Sequence, residues 1–232
     1  MGSLKRNARV AGFTYLLLLT APLRLVYIPS TLFVPGDPTA TAHNIATHET
    51  LFRLGIVSDL FTGAGAIFLL LALYRLLNEV DRYKAMLMVI LGSVVVAPIY
   101  FLNTLNDVAA LLLVRGSDFL SAFAAPQREA LAMLFLRLHH HGVLANQVFW
   151  GLWLFPFGLL VMRSGFLPRF LGVWLIAGGV GYLAISLAGL LVPQYEDTVS
   201  MIALPGMIGE VAIMLWLMIK GAREEPLAAA TP

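Results

Sequence analysis

The chain has 232 residues, of which 59% are hydrophobic and only 12% are charged. Soluble domains are about 45–50% apolar and about 25% charged, so this chain has too little charge to cover a surface that faces water. The composition excludes a secreted domain, a soluble enzyme and a disordered chain, and it leaves a multi-pass membrane protein.

The formal net charge is +2 and the chain contains no cysteine. The small net charge provides no nucleic-acid-binding face, since basic residues beside apolar spans usually set orientation. The lack of cysteine excludes disulfides, thiolate metal sites and cysteine-ligated iron–sulfur clusters. The sequence has no phosphate-binding loop of the form G-x-x-x-x-G-K-[ST], and we expect no cofactor and no nucleic-acid partner.

The first apolar run covers about residues 8–28 and continues through Arg24 without an A-x-A cleavage site, which predicts a retained span rather than a signal peptide. Asp37 followed by Pro38 is a typical N-cap and first-turn pair, so a helix is predicted to begin there and to lead into the second span. The third span is long enough to need a tilt or a kink near Pro98. The later spans are predicted at about residues 51–77, 85–114, 128–162, 170–192 and 201–220.

These six runs predict an all-α polytopic membrane protein with a bundle of six transmembrane helices. We expect a single domain over residues 1–220 and a disordered cytoplasmic tail over residues 221–232. Ten of the 15 lysines and arginines fall in segments that this topology places on one side, so the positive-inside rule predicts that both termini are cytoplasmic. The ten are Lys5, Arg6, Arg9, Arg75, Arg82, Lys84, Arg163, Arg169, Lys220 and Arg223.

Polar side chains within the predicted spans lie between the middle of the membrane and its outer face, and the cytoplasmic half is almost wholly apolar. Charged groups in a membrane are costly and normally face the bundle interior or a wet cavity. This asymmetry predicts a polar cavity that opens outward. The residues concerned are Arg24, Glu49, Arg53, Asp59, Asn103, Asn106, Asp107, Arg137, His139, His140, His141, Asn146, Gln147 and Glu210.

Helical phase divides the polar residues of the fourth span between two faces. His140, His141 and Gln147 belong to one stripe, and His139 points the other way. Two metal ligands on one helix face need a spacing of i, i+3 or i, i+4, whereas three consecutive histidines fan out around the helix. We therefore predict no metal site, unless a carboxylate from the third or sixth span completes one.

The first functional hypothesis is a membrane acid–base enzyme, or a binding protein, whose partner is a membrane lipid or another amphiphilic small molecule in the outward cavity. Glu210 and Asp107 would donate or accept protons, and His140 or His141 would act as a shuttle. Arg53 would anchor an anionic group. The predicted ligand-binding residues are Arg53, Asn103, Asp59 and Gln147.

The second hypothesis is a small proton-coupled transporter that uses the same groups as a relay. A carrier needs an inward-facing path, so the apolar cytoplasmic half favours the first hypothesis. A non-catalytic role as a sensor or assembly partner stays open, as does the oligomeric state. Both main hypotheses predict that Arg53 contacts an acidic residue such as Glu49, and that Glu210, Asp107, Asn103, Arg53 and one histidine converge on one pocket.

Several segments of this sequence resemble a family of bacterial integral-membrane proteins that is catalogued as domain of unknown function four-three-eight-six. The segments are residues 35–45, 51–59, 130–139 and 163–172, with Gly209 and Glu210 before Trp216. The resemblance covers nearly the whole chain and implies a six-span protein of the bacterial cytoplasmic (inner) membrane. It implies no reaction, substrate or cofactor.

Overall fold

The computed structural model describes residues 3–223. Within that range the chain is helical and has no strand, and six helical segments are long and apolar enough to cross a membrane. We call these segments spans one to six. They are Ser3–Leu32, Glu49–Leu77, Arg82–Arg115, Ala125–Arg163, Arg169–Leu191 and Pro193–Ile219. The predicted six-span, all-α membrane fold is confirmed.

Ten α-helices make up most of the described chain. They are α1 Ser3–Tyr15, α2 Ile28–Leu32, α3 Pro38–Thr47, α4 Glu49–Leu77, α5 Arg82–Val89, α6 Val96–Arg115, α7 Ala125–Leu152, α8 Leu154–Arg163, α9 Arg169–Leu191 and α10 Glu196–Ile219. The helix start expected at Asp37 and Pro38 is confirmed, because Oδ1 of Asp37 caps α3 by accepting a hydrogen bond from the Ala40 N–H at 2.9 Å.

Two spans depart from α geometry at identifiable residues. In span three, a π-helical turn at Ile90–Val94 separates α5 from α6. Pro98 has no N–H to donate to the carbonyl of Val94, which accounts for an irregularity near this proline. The tilt or kink expected for this span stays a prediction. Span four breaks at Trp153, between α7 and α8, three residues before Pro156.

The described residues form two compact units. The first unit contains the residues up to Leu17, Gly65–Ala97 and the residues from Leu144 onward. The second unit contains Leu18–Ala64 and Pro98–Val143. The predicted tail at residues 221–232 lies, from residue 224, outside the described residues, and the prediction of a single domain stays a prediction.

Glycines let helices of the first unit approach each other backbone to backbone. A Cβ added at Gly158 on α8 would lie 2.5 Å from the carbonyl oxygen of Gly172 on α9, and the reverse distance is the same. A Cβ at Gly178 on α9 would lie 2.9 Å from the carbonyl oxygen of Gly206 on α10. Small residues at such crossings are typical of packed membrane helices.

Contacts within the first unit bring four segments to one end of it. Arg163 lies 3.6 Å from Asp81, so the connection after span two and the end of span four are neighbours. The backbone N–H of Arg223 donates to the carbonyl of Phe166 at 3.1 Å. A Cβ at Gly221 would lie 3.1 Å from Cγ of Lys5. Four segments therefore share one end of the first unit. They are the start of span one, the connection after span two, the connection between spans four and five, and the chain after span six.

Candidate functional site

Four charged or titratable side chains meet in the interior of the second unit, one from each of the first four spans. They are Arg24, Asp59, Asp107 and His139, and we call them the four-span cluster. Each side chain is at most 3% exposed. Asp59 lies ten residues into α4, about 15 Å along the helix, which is roughly half the thickness of a bilayer core.

Arg24 reaches this position from an irregular part of span one. A 3₁₀ turn at Leu16–Thr20 is followed by a π-helical turn at Leu23–Tyr27 that carries the arginine. The side chain runs past Gly55 of α4, where an added Cβ would lie 3.2 Å from Cδ of Arg24. π-helical turns within α-helices occur often at functional sites.

The strongest contact of the cluster joins Arg24 to Asp107. Nε donates to Oδ2 and Nη2 donates to Oδ1, each at 2.6 Å, so the guanidinium and the carboxylate form a two-bonded pair. The guanidinium also lies over the ring of Phe33, 5.6 Å from its centre. Paired charges of this geometry satisfy each other inside a protein, whereas removal of one partner leaves an uncompensated charge.

His139 lies between the two carboxylates. Nδ1 is 3.3 Å from Oδ2 of Asp107, and Nε2 is 3.5 Å from Oδ2 of Asp59. These separations exceed those of a charge-assisted hydrogen bond. Among residues 3–223, neither ring nitrogen has a hydrogen-bond partner, nor does Oδ1 of Asp59. A neighbouring amide fixes the backbone at this point, since Nδ2 of Asn103 donates to the His139 carbonyl at 2.9 Å.

The arrangement of the cluster has room for one additional proton. A neutral imidazole donates from one nitrogen only, so its other nitrogen would turn a lone pair toward an ionised carboxylate. A proton on the imidazole lets both nitrogens donate, and a proton on Asp59 lets that carboxyl donate to Nε2 of His139. In either form the charges of Arg24, Asp107, Asp59 and His139 sum to zero, which favours burial.

Asp59, Asp107 and His139 could also hold a metal ion, because one ligand atom from each lies within 4.8 Å of the others. Two features argue against this use. Both oxygens of Asp107 already accept from Arg24, whose positive charge would repel a cation. Different ring nitrogens of His139 face the two carboxylates, an arrangement that suits protons shared between the imidazole and each carboxylate. A metal ion would instead need one ring nitrogen and the carboxylate oxygens directed at a single point.

The structure brings some of the predicted site residues together and leaves others elsewhere. Asp59 and Asp107 belong to the cluster and Asn103 adjoins it. His140 and His141, the expected shuttles, are exposed, and His139, assigned from its phase to the opposite face, is the histidine that belongs to the cluster. The shuttle role expected for His140 or His141 stays a prediction.

Arg53 lies outside the cluster, on the exposed side of α4. Its Nε donates to Oε1 of Glu49 at 2.7 Å, which confirms the expected contact with an acidic residue. Arg115 approaches the same carboxylate at 3.5 Å. Gln147 belongs to the first unit, where it is half-buried and its Oε1 accepts no hydrogen bond from the residues that the structure describes.

Sequence analysis did not predict that Arg24 and His139 meet Asp59 and Asp107 in one buried cluster. The available signal was the apolar pattern of α7, because His139 follows buried Ala132 and Leu136 by seven and three residues. Residues at these spacings share a helix face, so the buried pattern marks the face of His139 as the interior one.

Glu210 belongs to the first unit and has a different environment. Tyr15 of α1 donates its hydroxyl to Oε2 of Glu210 at 3.2 Å, and Tyr182 of α9 also hydrogen-bonds this side chain. Pro205 precedes Glu210 on α10, and Nε1 of Trp174 on α9 donates to the Pro205 carbonyl at 2.7 Å. Glu210 therefore joins α10 to α1 and α9 through tyrosine hydroxyls, and its expected catalytic role stays a prediction.

Comparison with known proteins adds family information. The model of a family described as "Domain of unknown function (DUF4386)" matches residues 10–221. An "Uncharacterized protein" of the archaeon Archaeoglobus fulgidus is 29% identical over 138 residues, which cover 59% of this chain and 81% of that protein. No solved structure matches the chain.

Proposed function

We propose that this chain, a multi-pass membrane protein that belongs to the DUF4386 family, is a proton-coupled transporter whose proton site is the four-span cluster. The observation that carries this proposal is the position of His139. Each of its ring nitrogens faces one of two buried carboxylates, and within the described part of the chain neither nitrogen makes a hydrogen bond. Such a group binds a proton tightly in one arrangement of its neighbours and releases it in another.

The physical coupling follows from the charges that face His139. Arg24, Asp59 and Asp107 reach it from spans one, two and three, and His140 adjoins it on its own helix. Loss of the shared proton leaves a net negative charge in the interior and turns one N···O contact repulsive. The four spans can relieve this repulsion by separating, so proton binding and helix rearrangement are linked.

Burial favours a transporter over the enzyme hypothesis. A general acid or base must come within hydrogen-bond reach of its substrate. The side chains of the cluster are at most 3% exposed, whereas a carrier needs a centre that is closed in one state and opens in another.

We infer that the membrane is the cytoplasmic one, with both termini in the cytoplasm, as the positive-inside rule predicts.

The proposal is tested by the pH dependence of Asp59→Asn and His139→Gln. We expect the stability of the wild type in detergent to fall as pH rises through the range in which the shared proton leaves, with a limiting slope of about 1.4 kcal/mol per pH unit for one proton. An asparagine side chain at position 59 keeps the shape of a protonated aspartate and can donate to Nε2 of His139, so Asp59→Asn should flatten this slope. His139→Gln should flatten it as well.

His140→Gln is the matched control, because this histidine is adjacent in sequence but exposed. Its pH profile should follow the wild type. Hydrogen exchange of the amides around Arg24 and Asp107 is measured in lipid nanodiscs and corrected for the intrinsic rise of exchange with pH. The resulting protection factors should fall with pH in the wild type and stay constant in Asp59→Asn. Equal slopes and equal exchange in all four proteins would contradict a proton site in the cluster.

A further inference from the structure

A cleft of about 250 Å³ opens in the second unit, away from the four-span cluster. It lies between α3, the last turn of α6 and the first turn of α7, where three helices reach the end of the apolar segments. Leu113 and Val114 of α6 line it together with Ala42 and Ala46 of α3. The cleft therefore has an apolar wall close to the place where lipid head groups begin.

The polar side of this cleft carries both signs of charge. Arg128 and Glu129 line it from α7, and Thr39 and His43 line it from α3. Glu129 is held in place because Thr39 donates its hydroxyl to Oε2 at 2.6 Å. The carboxylate keeps free acceptor capacity, since a carboxylate can accept several hydrogen bonds.

Arg128 has a defined position but no ion-pair partner within residues 3–223. Its guanidinium lies against Gly116, where an added Cβ would come within 2.9 Å of Nη1. Gly116 has φ +68°, a conformation that favours glycine, so this turn leaves space that the guanidinium fills. A positioned cation without a carboxylate partner is available to bind an anionic group.

We propose that this cleft binds the phosphate–ammonium head group of a zwitterionic lipid such as phosphatidylethanolamine. Arg128 binds the phosphate with His43 beside it, Glu129 binds the ammonium, and the apolar wall contacts the glycerol and the first methylenes. A ligand with only an anion would meet the carboxylate of Glu129, and one with only a cation would meet Arg128. The volume is below that of most drug-sized pockets, which fits a head group rather than a whole lipid.

The experiment measures lipid binding to delipidated protein in detergent as a shift in melting temperature. The probes are phosphatidylethanolamine, phosphatidylglycerol and soluble phosphoethanolamine. We expect phosphatidylethanolamine to stabilise the wild type more than phosphatidylglycerol does, with a shift that grows with lipid concentration. Arg128→Gln should weaken phosphatidylethanolamine binding at least tenfold.

Glu129→Gln gives a second prediction, which concerns lipid preference rather than loss of binding. Its amide oxygen can still accept from Thr39, but the negative charge is gone, so phosphatidylglycerol should now bind as well as phosphatidylethanolamine. Arg115→Gln is the matched control, because Arg115 is an exposed arginine near the same end and lies beside Glu49. It should bind both lipids like the wild type.

Two results would overturn the proposal: equal phosphatidylethanolamine binding by wild type, Arg128→Gln and Arg115→Gln, or unchanged lipid preference in Glu129→Gln. Equal affinity for soluble phosphoethanolamine and the lipid, with the predicted variant effects, would support the same site and assign its ligand to the aqueous phase. The test is independent of the proton proposal, because Asp59→Asn alters the cluster and leaves every residue of the cleft in place.

Discussion

At the scale of single residues, the cost of burying charge explains which groups have partners. Arg24 and Asp107 satisfy each other through two hydrogen bonds, so the pair adds no net charge to the interior. His139 and Asp59 remain incompletely bonded, and buried groups of this kind are costly unless a proton or a ligand completes them. The proposed proton site is therefore the part of the cluster where these contacts are unmade.

Glu210 allows a prediction at the same scale. A carboxylate accepts from both Tyr15 and Tyr182, whereas the single amide oxygen of a glutamine offers less acceptor capacity. We expect Glu210→Gln to lower stability by about 1–3 kcal/mol, because one tyrosine hydroxyl is left with a poorer partner. Tyr15→Phe should cost less, since it removes the donor with its bond.

Thermal unfolding in detergent measures both variants and the double variant. Because the two residues are in contact, the effects should couple by about 0.5–3 kcal/mol rather than add. Tyr195→Phe, at an exposed tyrosine, is the control and should unfold like the wild type. Additive effects of Glu210→Gln and Tyr15→Phe would show that the hydrogen bond between them contributes nothing.

At the scale of elements, an irregular turn places Arg24 of the four-span cluster. Span one is a continuous apolar run in sequence, but it contains a 3₁₀ turn and then a π-helical turn before α2. A π-helical turn holds an extra residue, which rotates the following side chains relative to an α-helix. Arg24 lies in that turn and points into the second unit, so local helix geometry determines whether this arginine meets Asp107.

The start of α5 carries a pH-dependent element outside the spans. Asp81 caps this helix by accepting from the Lys84 N–H at 3.1 Å and pairs with the Lys84 ammonium. The hydrogen bonds from the side chain and the backbone of Lys84, with a smaller effect of Arg163, lower the pKa of Asp81 below its usual 3.8. A carboxyl with a depressed pKa stabilises the fold above its unfolded pKa and loses that contribution as pH falls through its folded pKa.

We therefore expect the stability difference between wild type and Asp81→Asn to be constant above about pH 5 and to shrink below about pH 4. Asparagine is also a good N-cap, so the variant removes the charge and keeps the cap. Asp37→Asn, at the cap of α3, is the comparison, because its carboxylate accepts from the Ala40 N–H. The measurement is the melting temperature of each protein across the acid range. If the difference between wild type and Asp81→Asn is the same at low pH as at neutral pH, the charge of Asp81 does not contribute to stability.

At the scale of the whole molecule, the topology can be tested directly. The contacts within the first unit place the start of span one, the connections near Asp81 and Phe166, and the chain at Arg223 at a common end. The distribution of lysine and arginine predicts that this end is cytoplasmic. Reporter fusions should therefore report the cytoplasm near Asp81, Gly165 and Arg223.

Fusions near Thr39, Ser121 and Glu196 should report the opposite side of the membrane. An active phosphatase at these positions, together with an active cytoplasmic reporter at the first three, is the expected pattern. One reversed connection would contradict the even number of spans. Reversal of all six positions would keep the six-span fold and overturn the orientation.

Much of the fold follows from local properties of the chain. Span number, the helix start at Asp37, the irregularity near Pro98 and the ion pair of Glu49 with Arg53 depend on runs of hydropathy, on proline chemistry or on residues four apart. These properties require no knowledge of neighbouring helices, so the sequence is sufficient to predict them.

The site depended on tertiary structure. The sequence by itself determined that costly polar groups lie in the first four spans and in the sixth, and it predicted His140 or His141 as the shuttle. Only the packed helices decided that His139 is the histidine inside the cluster, because the interior face of a helix that is polar on two sides is defined by the helices beside it. The same holds for the pairing of Arg24 with Asp107 across 83 positions of the chain, which no local spacing can specify.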